Sequence, residues 1–370
     1  MKPIKAVIIG FAHMHVNEIA LYLSEQPDTE LAGCTDIPLE LEEQTQGRYT
    51  RAWNRRNVCE TYQVPYFATV EELLDTVKPD IAYILTDNAG KPAAVEQCAC
   101  RGVDVCIEKP MAASLSEALR IRKIVQETGI EAVVNWPTTW RPTGHQLKQA
   151  LELETAGPLL KLSYLNGHTG PLGTGARHRG VSAAAEEMTP EQRAHTWWYN
   201  ARYGGGAFLD IGCYGCMYSR WFQPEPACGV RALAMNLGTP EADCPDNVAL
   251  LIRYPHAMTT AEGTWTVPQA AIPGGPTVFC RDGVIFYVRE NGGLRLRAVD
   301  RLGNPLEIPV LELPDRFRNM AWHYAAHRME GTPFHPTVTL EQNVQVLALL
   351  DAAMASARSG REEPVESVLP

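Results

Sequence analysis

The sequence predicts an α/β protein in two parts, a doubly wound parallel sheet followed by an α+β unit with a large, mostly antiparallel open sheet. Three observations predict it. The length, 370 residues, exceeds one small core and fits two domains of ordinary size. Up to about residue 134, short apolar runs alternate with amphipathic helical patterns, as right-handed βαβ units do. Beyond Leu159, strand-like runs follow one another through short turns, which implies antiparallel pairing. The expected division is residues 1–134 and 135–370.

Taken in order, Ala6-Val7-Ile8-Ile9 is a continuous apolar run, as a strand covered on both faces requires. Val16, Ile19, Ala20 and Leu23 then recur at helical spacing. Leu31 to Thr35 is the second strand. Thr69-Val70-Glu71-Glu72 is a capping box that opens a helix stopped by Pro79. Ile81 to Leu85 is a strand followed by a helix over Pro92 to Cys100. Val103 to Ile107 is the next strand, and Ser114 with Glu117 caps a helix that ends at Gly129. Ala132-Val133-Val134 closes the first part.

In the second part Leu160, Leu162 and Tyr164 alternate, as do Leu294 and Leu296. Val230–Met235, Val248–Tyr254, Thr259–Thr266 and Val284–Val288 are further strands, with turns at Arg281-Asp282-Gly283 and Glu290-Asn291-Gly292-Gly293. A long helix capped by Thr339 and Gln342 ends near Gly360. Gly167 to Arg202 has weak periodicity, several glycines and the pair Trp197-Trp198; so long an irregular stretch reads as a functional loop.

Thirty-three Lys+Arg against 43 Asp+Glu leave a net charge of −10, which disfavours nucleic acid and anionic membrane surfaces as partners. The uncharged run from Gly263 to Cys280 is broken by prolines and glycines and cannot span a bilayer as a helix. Lys2 to Gly10 reads as folded sequence rather than a leader, so the expectation is a cytoplasmic protein. The ten cysteines are scattered without the paired spacing of a zinc ribbon and read as reduced, mostly buried thiols.

Ligands of open α/β sheets bind at the carboxyl ends of the strands. The first strand is followed by Gly10-Phe11-Ala12-His13-Met14-His15, which keeps the first glycine of a dinucleotide-binding G-x-G-x-x-G loop and replaces the other two. Asp36, 26 residues past Gly10, suits a ribose diol and repels a 2′-phosphate, favouring NAD over NADP; a simple turn residue is the competing reading. His13-x-His15 also resembles a metal pair on a barrel strand, but the later strand ends, Thr86-Asp87-Asn88 and Glu108-Lys109-Pro110, add no histidine, so no metal is expected. Lys109 is delivered to the ligand edge beside Glu108. After the turn Gly204-Gly205-Gly206, an apolar helix sets Asp210 and Tyr214 one helical turn apart.

In combination, Gly10 with Asp36, Thr86-Asp87-Asn88, Glu108-Lys109-Pro110 and the Gly204–Tyr214 segment resemble the Gfo/Idh/MocA oxidoreductases over essentially the whole chain. The resemblance implies an NAD(P)-binding Rossmann domain, hydride exchange at a carbinol carbon of a sugar or cyclic polyol, and a homodimer or homotetramer through the carboxy-terminal sheet. It implies NAD held by Gly10, Phe11, Ala12, His13, Met14, Asp36, Thr86, Asn88, Glu108, Lys109 and Asn135, and substrate held by His168, Asp210 and Tyr214. Lys109, Tyr214 and Asp210 are the implied catalytic set. Tyr214 stands where most members carry histidine, and in the branches with tyrosine the phenol exchanges the proton while lysine lowers its pKa. Lys91 also replaces a histidine of the family. Two alternatives stay open: a non-redox member that retains NAD in an oxidise–eliminate–reduce cycle, and a binding protein without catalysis.

Overall fold

The computed structural model describes residues 2–290 and 292–368; Met1, Leu369 and Pro370 lie outside the described residues, as does Asn291 of the expected Glu290–Gly293 turn. The first sheet contains β1 (Ile4–Ile9), β2 (Thr29–Thr35), β3 (Ile81–Ile84), β4 (Asp104–Glu108) and β5 (Ala132–Asn135), in the order β2-β1-β3-β4-β5. Every neighbouring pair is parallel. The connecting helices are α1 (Val16–Glu25), α2 (Arg51–Tyr62), α3 (Val70–Val77), α4 (Lys91–Ala99) and α5 (Leu115–Thr128). The caps act as the sequence predicts: Thr69 accepts from the Glu72 amide and Ser114 from the Glu117 amide. Helix α2 escapes sequence reading because only Asn54 and Val58 of it are buried, leaving no apolar stripe.

After α6 (Pro142–Glu152), the second sheet begins with β6 (Leu159–Gly167). A long segment containing the short helix α7 (Pro190–Ala194) then leads to α8 (Cys213–Phe222). The remaining strands are β7 (Gly229–Met235), β8 (Asn247–Arg253), β9 (Met258–Thr264), β10 (Thr277–Cys280), β11 (Gly283–Glu290), β12 (Gly293–Asp300) and β13 (Pro305–Leu306). Helices α9 (Met320–Glu330) and α10 (Leu340–Ser359) and the short β14 (Glu363–Pro364) close the chain. The nine strands run β13-β12-β11-β10-β6-β9-β8-β7-β14, antiparallel except for the β6–β9 pair.

The chain from α9 onward turns back onto the first sheet. Tyr324 donates to Asp104 Oδ2 at 2.7 Å, Trp136 Nε1 to Asn343 Oδ1 at 2.7 Å, and Met320, Tyr324 and Val338 join the core around β1. The carboxy-terminal helices thus lend side chains to the core of the first part. The segment from 168 to 203 crosses the other way, as a strap over the loop after β1. Trp197 Nε1 donates to Ala12 O at 2.9 Å, Tyr49 Oη to Ala183 O at 3.2 Å, and the Arg179 amide to Glu18 at 3.1 Å. Among the described residues no helix is long and apolar enough to cross a membrane.

Candidate active site

The loop after β1 lies flush against β3. Gly10 has φ of 95°, and a Cβ there would meet the Thr86 nitrogen at 2.6 Å, so only glycine fits. The Phe11 amide donates to Asp36 Oδ1 at 3.2 Å, the Ile37 amide at 2.9 Å and Arg51 Nη1 at 2.8 Å. All three donors hold Oδ1, leaving Oδ2 available to a diol. Arg51 also binds Glu43, and its Nη2 is buried without a partner. Two carboxylates against one guanidinium keep this corner net negative, although Asp36 is not the lone charge that the sequence suggests.

His13 and His15 are pushed in opposite directions because their neighbours differ. His13 Nδ1 accepts the His15 amide at 3.2 Å, which puts the ring proton on Nε2, a buried donor without a partner. Burial, then the charges of His15, Lys109 and Lys91, hold the His13 pKa well below the ordinary value. For His15 burial acts downward too, but Glu108, with Oε1 2.9 Å from Nδ1, outweighs it and raises the pKa. Asn135 Nδ2 donates to the other Glu108 oxygen at 2.9 Å. Ligand atoms of His13, His15 and Glu108 lie within 4.8 Å of one another, a set that could hold a metal ion. The His13 tautomer and the neighbouring ammonium groups fit an ion pair and a spare N–H donor better.

The next two strand ends are tied together by Lys91, to which the sequence assigns no role beyond replacing a histidine. Its buried Nζ donates to Asn88 Oδ1 (2.6 Å), Glu108 O (2.8 Å) and Pro110 O (2.7 Å), just beyond the cis Lys109–Pro110 bond. Burial pushes its pKa down to about 7, yet three oxygen acceptors match the three N–H donors of an ammonium. Asn88 Nδ2 donates to Gly204 O at 2.7 Å and Thr86 Oγ1 to Asp87 O at 3.0 Å, which leaves Asn88 one N–H and Thr86 its oxygen lone pairs. Asp87 Oδ2 is buried without a partner.

Lys109, Asp210, Tyr214 and His168 meet where the two domains face each other. Asp210 sits in a π-turn, Phe208–Gly212, rather than in the regular helix that the sequence predicts. Lys109 Nζ bonds the Asp210 carbonyl at 2.8 Å and approaches Oδ1 at 3.4 Å. Asp210 Oδ2 binds His168 Nε2 at 3.0 Å and Trp265 Nε1 at 2.9 Å. Burial alone would raise the Asp210 carboxyl, but Lys109, then His168 and Trp265, hold it far below the carboxylate range. His168 Nδ1 is left without a partner. Trp265 is the site residue that carries no local signal in the sequence.

Tyr214 corrects one expectation. Lys109 faces its ring, 4.9 Å from the centroid, and burial raises the phenol pKa further than that charge lowers it. Trp197 and Trp198 are buried, stack on each other at 3.9 Å and pack against the loop after β1, Trp198 edge-on to His13.

Along the strand edge, Arg51 Nη2, Asp87 Oδ2, His13 Nε2 and His168 Nδ1 are buried polar atoms awaiting partners. With the Gly10 backbone pressed against Thr86 and Asp36 Oδ2 open, these residues fit an extended, polar dinucleotide.

Comparison with known proteins agrees. Residues 4–136 match the oxidoreductase family with the NAD-binding Rossmann fold, and residues 175–286 match the GFO/IDH/MocA C-terminal domain. The aldose-aldose oxidoreductase of Caulobacter crescentus, solved with glycerol, superposes with a TM-score of 0.76 at 19% identity, covering 98% of this chain and 100% of that one. An Agrobacterium radiobacter oxidoreductase, solved with NAD+, L-tartaric acid and magnesium, gives 0.74 at 16% identity and covers both chains fully, 100% of each. These two likenesses establish the fold. The Salmonella typhimurium protein YceM, named as an oxidoreductase, is 26% identical over 94 residues, 25% of this chain. The match spans only 30% of that curated relative's length.

Proposed function

Because the chain belongs to the Gfo/Idh/MocA oxidoreductase family, we propose that it moves a hydride between NAD and a carbinol carbon of a sugar, cyclic polyol or related polyhydroxy compound. The observation that carries this reading is Asp210, a buried carboxylate gripped by Lys109, His168 and Trp265 beside the cofactor edge. That constellation can bind a hydroxyl, accept its proton and stabilise the resulting oxyanion. The polyhydroxy ligands of the Caulobacter and Agrobacterium neighbours support the substrate class.

When bound, NAD supplies the hydride acceptor or donor. Asp36 Oδ2 would hold its ribose diol, and Gly10 to Met14, with the free His13 N–H, would border its phosphates. Glu108, braced by His15 and Asn135, and Lys109 would face the nicotinamide end. Lys109, kept cationic against the effect of burial by the Tyr214 ring face and the Asp210 carboxylate, stabilises negative charge on the substrate oxygen. Asp210 fixes the His168 ring through Nε2, and Nδ1 takes the hydroxyl proton. Tyr214, its phenol kept protonated by burial, donates a hydrogen bond to the substrate.

The outward face of the second sheet carries Leu233, Leu251, Met258 and Phe279, exposed by 73%, 48%, 40% and 38%. An apolar stripe of this kind suits pairing with a second copy of the chain. The strap over Ala12 favours a second reading, slow dinucleotide exchange: protein purified without added cofactor should release NAD on acid extraction.

The deciding experiment is a screen of sugars, polyols and hydroxy acids with NAD-loaded protein, followed by nicotinamide absorbance, with Lys109→Ala as control. Turnover that the variant loses supports the reading. Retained NAD with no reduction by any compound overturns it.

A further inference from the structure

One thiol pair stands apart from the other cysteines, all ten of which are free. Cys34, fully buried in β2, and Cys59, half-buried on α2, have their sulfurs 3.5 Å apart. It is the one thiol–thiol contact among the hydrogen bonds of the described residues. Both cysteines sit on elements that shape the adenosine end of the cleft: Cys34 lies two residues before Asp36, and α2 opens with Arg51, which grips Asp36.

The two sulfurs are chemically unequal. Cys59 has the Cys34 S–H beside it and Arg55 one helical turn before it, both favouring a thiolate; burial, Glu60 and the carboxyl end of α2 oppose this. The bond from Cys34 and the cation prevail, lowering the Cys59 pKa, while that same contact and burial raise Cys34. The accessible sulfur is therefore the nucleophile and the buried one its resolving partner.

We propose that Cys34 and Cys59 form a redox-modification site, at which a hydroperoxide drives a disulfide between β2 and α2 that weakens dinucleotide binding. The Cys59 thiolate attacks a peroxide oxygen; an S–O bond forms, the O–O bond breaks, and water or an alcohol leaves. Cys34 then attacks the Cys59 sulfur; the S–S bond forms, the S–O bond breaks, and hydroxide leaves as water with the Cys34 proton. Two thiols lose two electrons and the peroxide gains them.

A disulfide of roughly 2.05 Å needs the sulfurs to approach by about 1.5 Å. The backbone of Cys34 is locked, its amide on Pro65 O and its carbonyl on the Phe67 amide, so the movement falls on α2. The helix buries Asn54 and Val58, and Asn54 bonds Phe11 O, Tyr49 O and Asn17, so a shift of α2 reaches the loop after β1 as well as Arg51. Its shift draws Arg51 away from Asp36.

The test treats the full-length protein with a small excess of hydrogen peroxide and digests it without reduction. The expected result is a Cys34–Cys59 crosslinked peptide, an intact mass lower by two hydrogens, and NADH binding weakened roughly fivefold or more, all reversed by dithiothreitol. In Cys34→Ser the Cys59 sulfenic acid persists and is trapped by dimedone. Modification of exposed Cys100 with the pair still reduced overturns the proposal, as does a mapped disulfide with unchanged NADH affinity. Crosslink mapping needs no cofactor, so its outcome stays separate from any failure of the dehydrogenase reading.

Discussion

The Lys109 ammonium lies against the ring face of Tyr214, 4.9 Å from its centre, while its shorter bond, 2.8 Å, runs to the main-chain oxygen of Asp210. The lysine is thus anchored by a carbonyl that the π-turn exposes, and its charge faces the site rather than the phenol oxygen. Lys109→Met, which keeps the stem and removes the charge, should lower kcat by ~10²–10³ with NADH affinity changed far less. Steady-state kinetics paired with calorimetry of NADH binding checks this.

His168 is predicted to take the hydroxyl proton through Nδ1, because Asp210 holds the other ring nitrogen. His168→Asn should lower kcat by ~10²–10⁴ in steady-state assays, whereas Tyr214→Phe should cost far less. Turnover that survives in His168→Asn and vanishes in Tyr214→Phe would return the proton to the phenol.

Asp36 Oδ1 takes three donors, so its loss affects both the loop after β1 and the diol. Asp36→Ala should weaken NADH binding by roughly tenfold, a little over 1 kcal/mol, and narrow the gap to NADPH, because Arg51 loses one of its two carboxylate partners. Paired titrations with NADH and NADPH on the two proteins read this directly.

The first sheet was legible in the sequence because strands buried on both faces write continuous apolar runs, and its caps were legible because Thr69 and Ser114 precede Glu at the required spacing. Lys109, Asp210 and His168 were legible as strand-end or turn residues. Trp265 was not, because its position depends on β9 passing beside the π-turn, a long-range fact with no local pattern. Nor was Lys91, since a lysine in the first turn of a helix ordinarily reads as surface. The return of α9 to the first sheet was invisible for the same reason: Tyr324 and Asp104 meet across 220 positions of sequence.

A stability prediction follows from His323, buried beside His145, Phe317 and His335. Its Nε2 accepts the His335 amide at 3.0 Å, which leaves Nδ1–H for Arg316 O at 3.2 Å, so both nitrogens are committed in the neutral form. Burial lowers its pKa from 6.5 to about 4. A depressed histidine contributes stability that is present above the unfolded value and lost as pH falls from 6.5 toward 4. The loss amounts to roughly 3 kcal/mol at the acid end. Urea unfolding of wild type and His323→Gln across that range should show the steeper acid decline in wild type.

Lys91 has a mechanical consequence. One ammonium fastens the turn after β3 to both sides of the Lys109–Pro110 bond, so the three pieces act as one lever. A substitution at Asn88 alters the seat of the lysine, and with it the aim of Lys109, before any substrate contact has changed.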